Sequence, residues 1–310
     1  MKHDVGQRDH EARTALEHQL PQGIAVDFDA LFPRLTGWGV EKKNRKRIEL
    51  LTKVAPVLAG VLQAGETVQF VTRGSVNLWW EMVCMGVWAQ VINGTAIVCT
   101  NLRLLLIHTH RDMPKSYINQ IPRAAVKKVT SGLGSMTVKL GSGTIAFAAV
   151  PGADKKILAQ RIPVNPRASG GKEFLCPKCY AVYKTHITQC RQCWVAFKSP
   201  AVAARRSALL PGLGDYYLGH RGLALLEMFG SLTVWLVVLV LMVDAFQGAD
   251  PVLNLVIALG MLVVTHGVDA ALTHAQGRKG LIAMDDRLAT GLKTATPVSQ
   301  PSVPVPITPR

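Results

Sequence analysis

Cys176-Pro-Lys-Cys179 and Cys190-Arg-Gln-Cys193 are two Cys-x-x-Cys pairs with ten residues between them. Each pair can turn as a tight knuckle that aims two sulfurs at one point. Two knuckles supply the four thiolates of a closed, tetrahedral structural Zn2+ site. The competing chemistry is dithiol redox exchange, and two pairs at this spacing favour metal over it. Only about 25 residues surround the pairs, too few for a core, so metal would supply much of the folding free energy. His186 stands between the pairs, but four cysteines fill the tetrahedron, so it is expected at the surface. Cys84 and Cys99 lie alone in apolar sequence and are expected as buried free thiols. No P-loop, G-x-S-x-G or H-E-x-x-H pattern is present, and no catalytic residues are assigned. The expectation is a protein that is not an enzyme.

A second set of ionisable residues lies in apolar sequence. Residues 223–243 hold one formal charge, Glu227, and residues 252–272 hold Asp269 near their end. Each run matches the roughly 20 residues that cross about 30 Å of hydrocarbon. Residues 244–251 leave room only for a hairpin turn between them. Glu227, His266 and Asp269 are costly in lipid and are candidates for a functional role. Glu227 and Asp269 both lie about one turn from the same end of the hairpin, where water or Arg221 can satisfy them, so a structural role is expected. Arg205, Arg206 and Arg221 precede the first run, and Arg278 and Lys279 follow the second. The connecting loop carries only Asp244 and Asp250, so the positive-inside rule puts both termini in the cytoplasm. Unoxidised zinc thiolates fit the same reducing compartment. Residues 1–20 are polar and lack the apolar stretch of a signal peptide.

Residues 209–222 read LLPGLGDYYLGHRG. Four glycines and a proline permit a sharp re-entrant or interfacial bend with close helix approach. Tyr216 and Tyr217 suit the headgroup level. Pro211, Gly212, Gly214, Asp215, Tyr217, Gly219 and Gly222 carry a resemblance to the opening of the small two-transmembrane-helix (PGLG-type) domain family, over about residues 204–276. Asp215 takes a place often held by Gln in that family. The Cys-x-x-Cys stretch is similar, in the same way, to a short zinc ribbon.

Upstream, the pattern is that of strands: 67–72, 95–100, 103–108, 117–121, 125–130, 136–140 and 144–148, closed by a helix over 153–162. Leu62-x-x-Gly65-Glu66, Val98-Cys-Thr-Asn-x-Arg103-Leu-Leu-Leu and Ile118-x-x-Ile121-Pro122 resemble the bacterial PH-like (YokE-like) domain over about residues 50–163. The resemblance implies a bent antiparallel sheet capped by a helix and used for binding. Residues 75–92 are longer than a simple hairpin link and carry Trp79, Trp80 and Trp88 with Met82 and Met85. They read as a helix that fills the open end of the sheet, or as an aromatic wedge at a membrane interface.

The chain has 310 residues, 49% hydrophobic and 18% charged, below the roughly 25% charge of soluble chains. Its net charge of +15 favours anionic partners. Residues 1–33 carry −3, residues 103–167 carry +9 and residues 172–221 carry +6. Lys42, Lys43, Arg45, Lys46 and Arg47 lead into a helical stripe of Ile48, Leu51, Val54 and Leu58. They form either a solvated helix face or a polybasic patch for anionic lipid. The acidic residues Asp4, Asp9, Glu11, Glu17, Asp27 and Asp29 could fold back on that face.

The fold class expected is a multidomain α+β membrane protein. It comprises a polar N-terminal segment (1–40) with a short helix near 9–19, and a PH-like antiparallel β-barrel or sandwich with a C-terminal helix (41–165). A linker over 163–171 leads to the zinc ribbon (166–200), followed by the two-helix transmembrane hairpin (204–276) and a polar, Pro-rich disordered tail (277–310) with a short helix at 281–292. The expected function is a membrane-anchored, cytoplasm-facing adaptor in a bacterial inner membrane. Its partners are anionic lipid headgroups or a protein, and nucleic acid is disfavoured because much of the positive charge flanks the spans. The alternatives are a zinc-ribbon nucleic-acid-binding protein held at the membrane, or an oligomeric transport or stress-response component.

Overall fold

The computed structural model describes residues 2–110, 112–132, 134–248 and 251–285. Helices α1 (Lys2–His18), α2 (Phe28–Leu31) and α3 (Val40–Val61) precede the first strand. Strand β1 (Val68–Val76) leads into α4 (Trp79–Met85) and α5 (Val87–Ile92). Then come β2 (Gly94–Thr100), β3 (Arg103–His110), β4 (Met113–Pro122), β5 (Val126–Ser131), β6 (Ser135–Leu140), β7 (Thr144–Ala148) and α6 (Gly152–Arg161). All seven strand segments read from the alternation are therefore present. The two short strands β8 (Glu173–Leu175) and β9 (Val182–Tyr183) follow, then α7 (Pro200–Leu209), α8 (Leu213–Leu218), α9 (Arg221–Gln247) and α10 (Pro251–Gly277). Helix α1 is longer than the 9–19 segment expected.

The strands form one antiparallel sheet in the order β5-β6-β7-β1-β2-β3-β4-β8-β9. Successive side chains of a strand point to opposite faces, and both faces are covered. Ala96 and Val98 of β2 join the core made with Leu51, Val54 and Leu58 of α3. Ile97 and Cys99 join Met136, Phe147 and Leu158, so β5–β7 and α6 close over the other face.

The turn residues around Gly65 and Asn101 have a mechanical reason to be there. Arg103 donates from Nε to Glu66 Oε1 at 3.0 Å and from Nη2 to Oε2 at 2.7 Å, wholly inside the protein. Thr100 Oγ1 adds a 2.6 Å bond to Glu66, and Asn101 Oδ1 accepts from Thr67 N at 2.9 Å. Gly65 takes φ +76°, a conformation open to glycine at little cost. Gln120 bonds both Arg103 and Glu173, which ties this network to β8.

Two expected boundaries look different in three dimensions. Strand β8 pairs with β4 through Ile118–Leu175 and Gln120–Glu173, so the cysteine-bearing segment continues the sheet. The stretch 163–171 is packed against the sheet: Asn165 N donates to Val126 O, and Ser142 N donates to Gly170 O. Past α10, residues 281–285 are not helical; Ala283 bridges Phe197 in antiparallel fashion. The remainder of the expected 281–292 helix and the Pro-rich tail lie outside the described residues.

Helices α9 and α10 each have 27 residues, about 40 Å at 1.5 Å per residue. Both are long and apolar enough to cross a membrane, with mean hydropathy of 2.2 and 2.0. Only 11% and 17% of their most apolar windows are buried inside the protein, unlike the core helix of a soluble domain. Leu225, Phe229, Leu236, Val240, Val256 and Val263 all face outward.

Candidate functional site

Two local repeats build the cysteine cluster. Tyr180 N donates to Cys176 O at 2.9 Å, and Cys176 N donates to Ala181 O at 3.0 Å. The second pair repeats this: Trp194 N to Cys190 O at 3.1 Å, and Cys190 N to Val195 O at 2.8 Å. Tyr180 and Trp194, each just after the second cysteine of its pair, hold φ of +57° and +62°. Non-glycine residues seldom adopt that conformation, and here it turns each loop sharply enough to aim both sulfurs inward. One Sγ atom from each of Cys176, Cys179, Cys190 and Cys193 lies within 4.8 Å of the other three. The Cys176–Cys193 and Cys179–Cys190 sulfurs are 3.5 Å apart. A tetrahedron of sulfurs about 2.3 Å from zinc has edges of about 3.8 Å, so the set fits a tetrahedral thiophilic ion. Gln192 N and Cys193 N point at Cys190 Sγ from 3.4 Å, as donors that steady a thiolate. His186 is half-buried and edge-on to Phe174, outside the four-sulfur cluster. Cys99 is buried as expected, whereas Cys84 is exposed on α4.

The PGLG-type segment forms a helical hook beside the apolar helices. Helix α7 runs antiparallel to α10: Gly277 abuts Pro200, Ser207 Oγ meets Thr273 Oγ1 at 2.9 Å, and His266 Nδ1 lies 2.8 Å from Ala208 O. Gly212 (φ +88°) turns the chain into α8, and Gly219 (φ +96°) turns it into α9. A Cβ on Gly214 would overlap Ala203 O, Ser207 Oγ and Thr273 Cγ2, so this glycine permits the close approach of three helices. Gly222 has open space around it and no such duty. Tyr217 sits under the Arg206 guanidinium at 4.4 Å, and its hydroxyl accepts from Ser199 N. Pro211 is buried beside Gly212.

Asp215 is the centre of the hook. It accepts from Thr273 Oγ1 at 2.9 Å and faces His220 Nδ1 at 2.9 Å. Asp269 accepts from Gly212 N at 3.1 Å. Asp215, Glu227 and Asp269 bring one carboxylate oxygen each within 4.8 Å of one another. The three carboxylates thus form one acidic cluster inside the hook, with the His220 ring beside Asp215. Sequence reading placed Glu227 and Asp269 at one level but not against Asp215.

The tryptophan segment does not fill the open end of the sheet. Trp79 is 79% exposed and Trp88 50%, with Val83, Val87 and Val91 exposed beside them; Trp80 is half-buried. What is buried is Glu81, whose Oε2 lies 2.7 Å from Lys279 Nζ. Lys279 also donates to Val76 O at 3.1 Å. Burial pushes the Lys279 ammonium down to about 8, against the upward pull of Glu81. The pair fixes the aromatic segment to the residue just past α10. Gln276 near the end of α10 contacts Met85 Sδ as well.

The basic run divides. Lys42, Lys43, Arg45 and Lys46 are exposed, but Arg47 is buried and turned inward. Its guanidinium bonds Asp154 Oδ1 and Leu31 O, both at 2.9 Å, and lies over the Phe70 ring. Arg47 therefore serves the core and leaves four cations on the surface. Five of the acidic N-terminal residues are engaged locally: Asp27 caps α2, Asp9 accepts from Thr36, Glu11 accepts from Gln7, and Glu17 and Asp29 both hold Arg13; the Asp4 side chain lies outside what is described.

A scan against family models found no match to this sequence, and a search of curated proteins found none either.

Proposed function

We propose that this chain is an integral membrane binding protein, with α9 and α10 as a transmembrane hairpin and the sheet as a cytoplasmic head for lipid headgroups or a protein partner. The observation that carries this is the contrast along α10. Its earlier turns pack against α9 and expose Val252, Val256, Leu259, Val263 and Val264, while its last turns are built into α7, α8 and the head through Thr273 and Gln276, with Lys279 just beyond. A helix pair anchored at one end and apolar on its outer faces over the rest has bilayer as its natural solvent.

The PH-like resemblance supports binding as the role of the head. The four-cysteine cluster is read as a structural zinc ribbon that stiffens the joint between β4 and α7. Trp79 and Trp88 lie on the segment pinned to the end of α10, where an interfacial aromatic belt is expected. The cationic flanks, and thiolates that must stay reduced, support a cytoplasmic head. No catalytic constellation was found in the sequence, so the role proposed is non-enzymatic.

Alkaline carbonate washing of membranes tests the anchor: the chain should stay in the pellet, and release would overturn the hairpin. In a Cys84→Ser background, Gln247→Cys should react with an impermeant thiol reagent in intact cells and Val164→Cys should not. The reverse labelling would invert the topology.

A further inference from the structure

A cavity of about 770 Å3 lies where the head meets the hairpin. Leu78 and Trp80 wall one side, Ile145 of the β6–β7 hairpin another, and Ala271 and Ala275 of α10 a third. The size is that of a small-molecule site. The polar end is cationic: Lys172, Arg278 and Lys279 all line it. Glu81 is the one carboxylate bonded to any of the three among the described residues, through Lys279. Lys172 Nζ lies 2.9 Å from Lys279 O and over the Phe174 ring, held by neutral groups alone. Burial pushes Lys172 down to about 8, and the nearby charges of Lys279 and Arg278 act in the same direction.

The walls and the basic end together select an amphiphile. A free phosphate would leave the apolar walls empty, and a neutral lipid would leave the cations unanswered. Ala271 and Ala275 stand in the last two turns of α10, a helix long and apolar enough to cross a membrane, so the cavity lies at the level where headgroups begin. We infer that this cavity holds an anionic phospholipid drawn from the bilayer, with its phosphate between Lys172 and Arg278 and the start of an acyl chain against Trp80, Ala271 and Ala275. The inference rests on the transmembrane reading of α9 and α10. Small side chains on α10 would then make room for the chain, and the latch between Glu81 and Lys279 would keep the third cation from competing for the phosphate.

The test uses the full chain in detergent, with lipid adducts counted by native mass spectrometry. Dioleoyl phosphatidylglycerol should be retained over dioleoyl phosphatidylcholine, and inorganic phosphate should not displace it. Lys172→Gln with Arg278→Gln should cut phosphatidylglycerol retention about tenfold or more, the scale of losing charge-assisted bonds. Ala275→Phe should cut it as well with no change of charge. Equal retention of the two lipids by the unaltered protein would overturn the inference without using any variant. So would displacement by inorganic phosphate, which would mark a plain anion site. Carbonate extraction of the same protein is the separate readout: release there sinks the transmembrane reading itself.

Discussion

Lys279 Nζ lies 2.7 Å from Glu81 Oε2 across 198 residues of sequence, and both residues are buried. Glu81 Oε2 also accepts from Leu78 N at 2.9 Å, so one carboxylate both starts α4 and fastens it to the end of α10. Removing one partner of a buried pair strands the other charge, at about 3–5 kcal/mol. Glu81→Gln should therefore lower the melting temperature in detergent and open residues 78–92 to protease. Glu81→Met with Lys279→Met should cost less than the sum of the single changes. Additive losses would mean that the two side chains do not act as a pair.

The cysteine cluster predicts about one Zn2+ per chain by metal analysis of the purified protein. Cys190→Ser should lose it, because Cys190 sits against Cys179, Cys193 and Tyr183. Cys84→Ser, which changes an exposed thiol on α4, should keep it. Full zinc in Cys190→Ser would remove the four-thiolate assignment. The full chain is the right material, since β8 depends on β4 for its pairing.

Much of the head was legible in the sequence because period-two alternation and turn residues are local signals. The cysteine knuckles were legible for the same reason. Arg47 was misread as one cation of five, although 47, 51, 54 and 58 follow the helical stripe and mark it as inward-facing. The tryptophan segment was ambiguous because an apolar helix face looks the same whether it meets a core or a bilayer. Asp215, Glu227 and Asp269 lie on three helices, and Lys172 lies far from Lys279 in sequence. No spacing rule joins such residues; only the packing of α8, α9 and α10 with one another and of the sheet against the end of α10 does.

Trp79 and Trp88 should sit in the headgroup layer of a bilayer. In reconstituted vesicles, lipids brominated near the headgroup should quench tryptophan fluorescence. That shallow quenching should fall in Trp79→Phe with Trp88→Phe, while quenching of Trp235 on α9 by deep bromines persists. Unchanged shallow quenching would mean that the segment stays in water or on a protein.

His108 gives a pH dependence. It is fully buried, stacked on Tyr117 at 4.4 Å, with Nε2 2.7 Å from Ile92 O. Burial pushes its pKa down to about 3 from an ordinary value of 6.5. The unfolded chain therefore binds a proton below pH 6.5 that the folded chain refuses until about pH 3. The stability that His108 contributes is complete above pH 6.5 and is lost as pH falls, by up to about 1.4 kcal/mol per pH unit. Thermal unfolding between pH 6.5 and pH 5, above most carboxylate titration, should show this slope. His108→Phe, which keeps a ring against Tyr117, should flatten it. An unchanged slope in that variant would assign the effect elsewhere.

The glycines of the 211–222 segment should be unequal, although in sequence they look alike. Gly214 packs where α7, α8 and α10 meet, and the atoms in the way of a Cβ include the backbone oxygen of Ala203. A backbone oxygen cannot rotate aside as a flexible side chain can. Gly214→Ala must push α8 away from α7 and α10, which strains the Asp215–Thr273 and Ser207–Thr273 bonds. Overpacking of this kind costs about 1–3 kcal/mol. Gly222 has nothing within 4 Å of the position a Cβ would take and stands in the first turn of α9, where alanine is the better helix former. Gly222→Ala should therefore be neutral or slightly stabilising. The comparison is made by melting both variants in the same detergent, with zinc content as the check that the head is intact. Equal losses in the two variants would show that these glycines serve flexibility or lipid contact rather than the close approach of α8 to its neighbours.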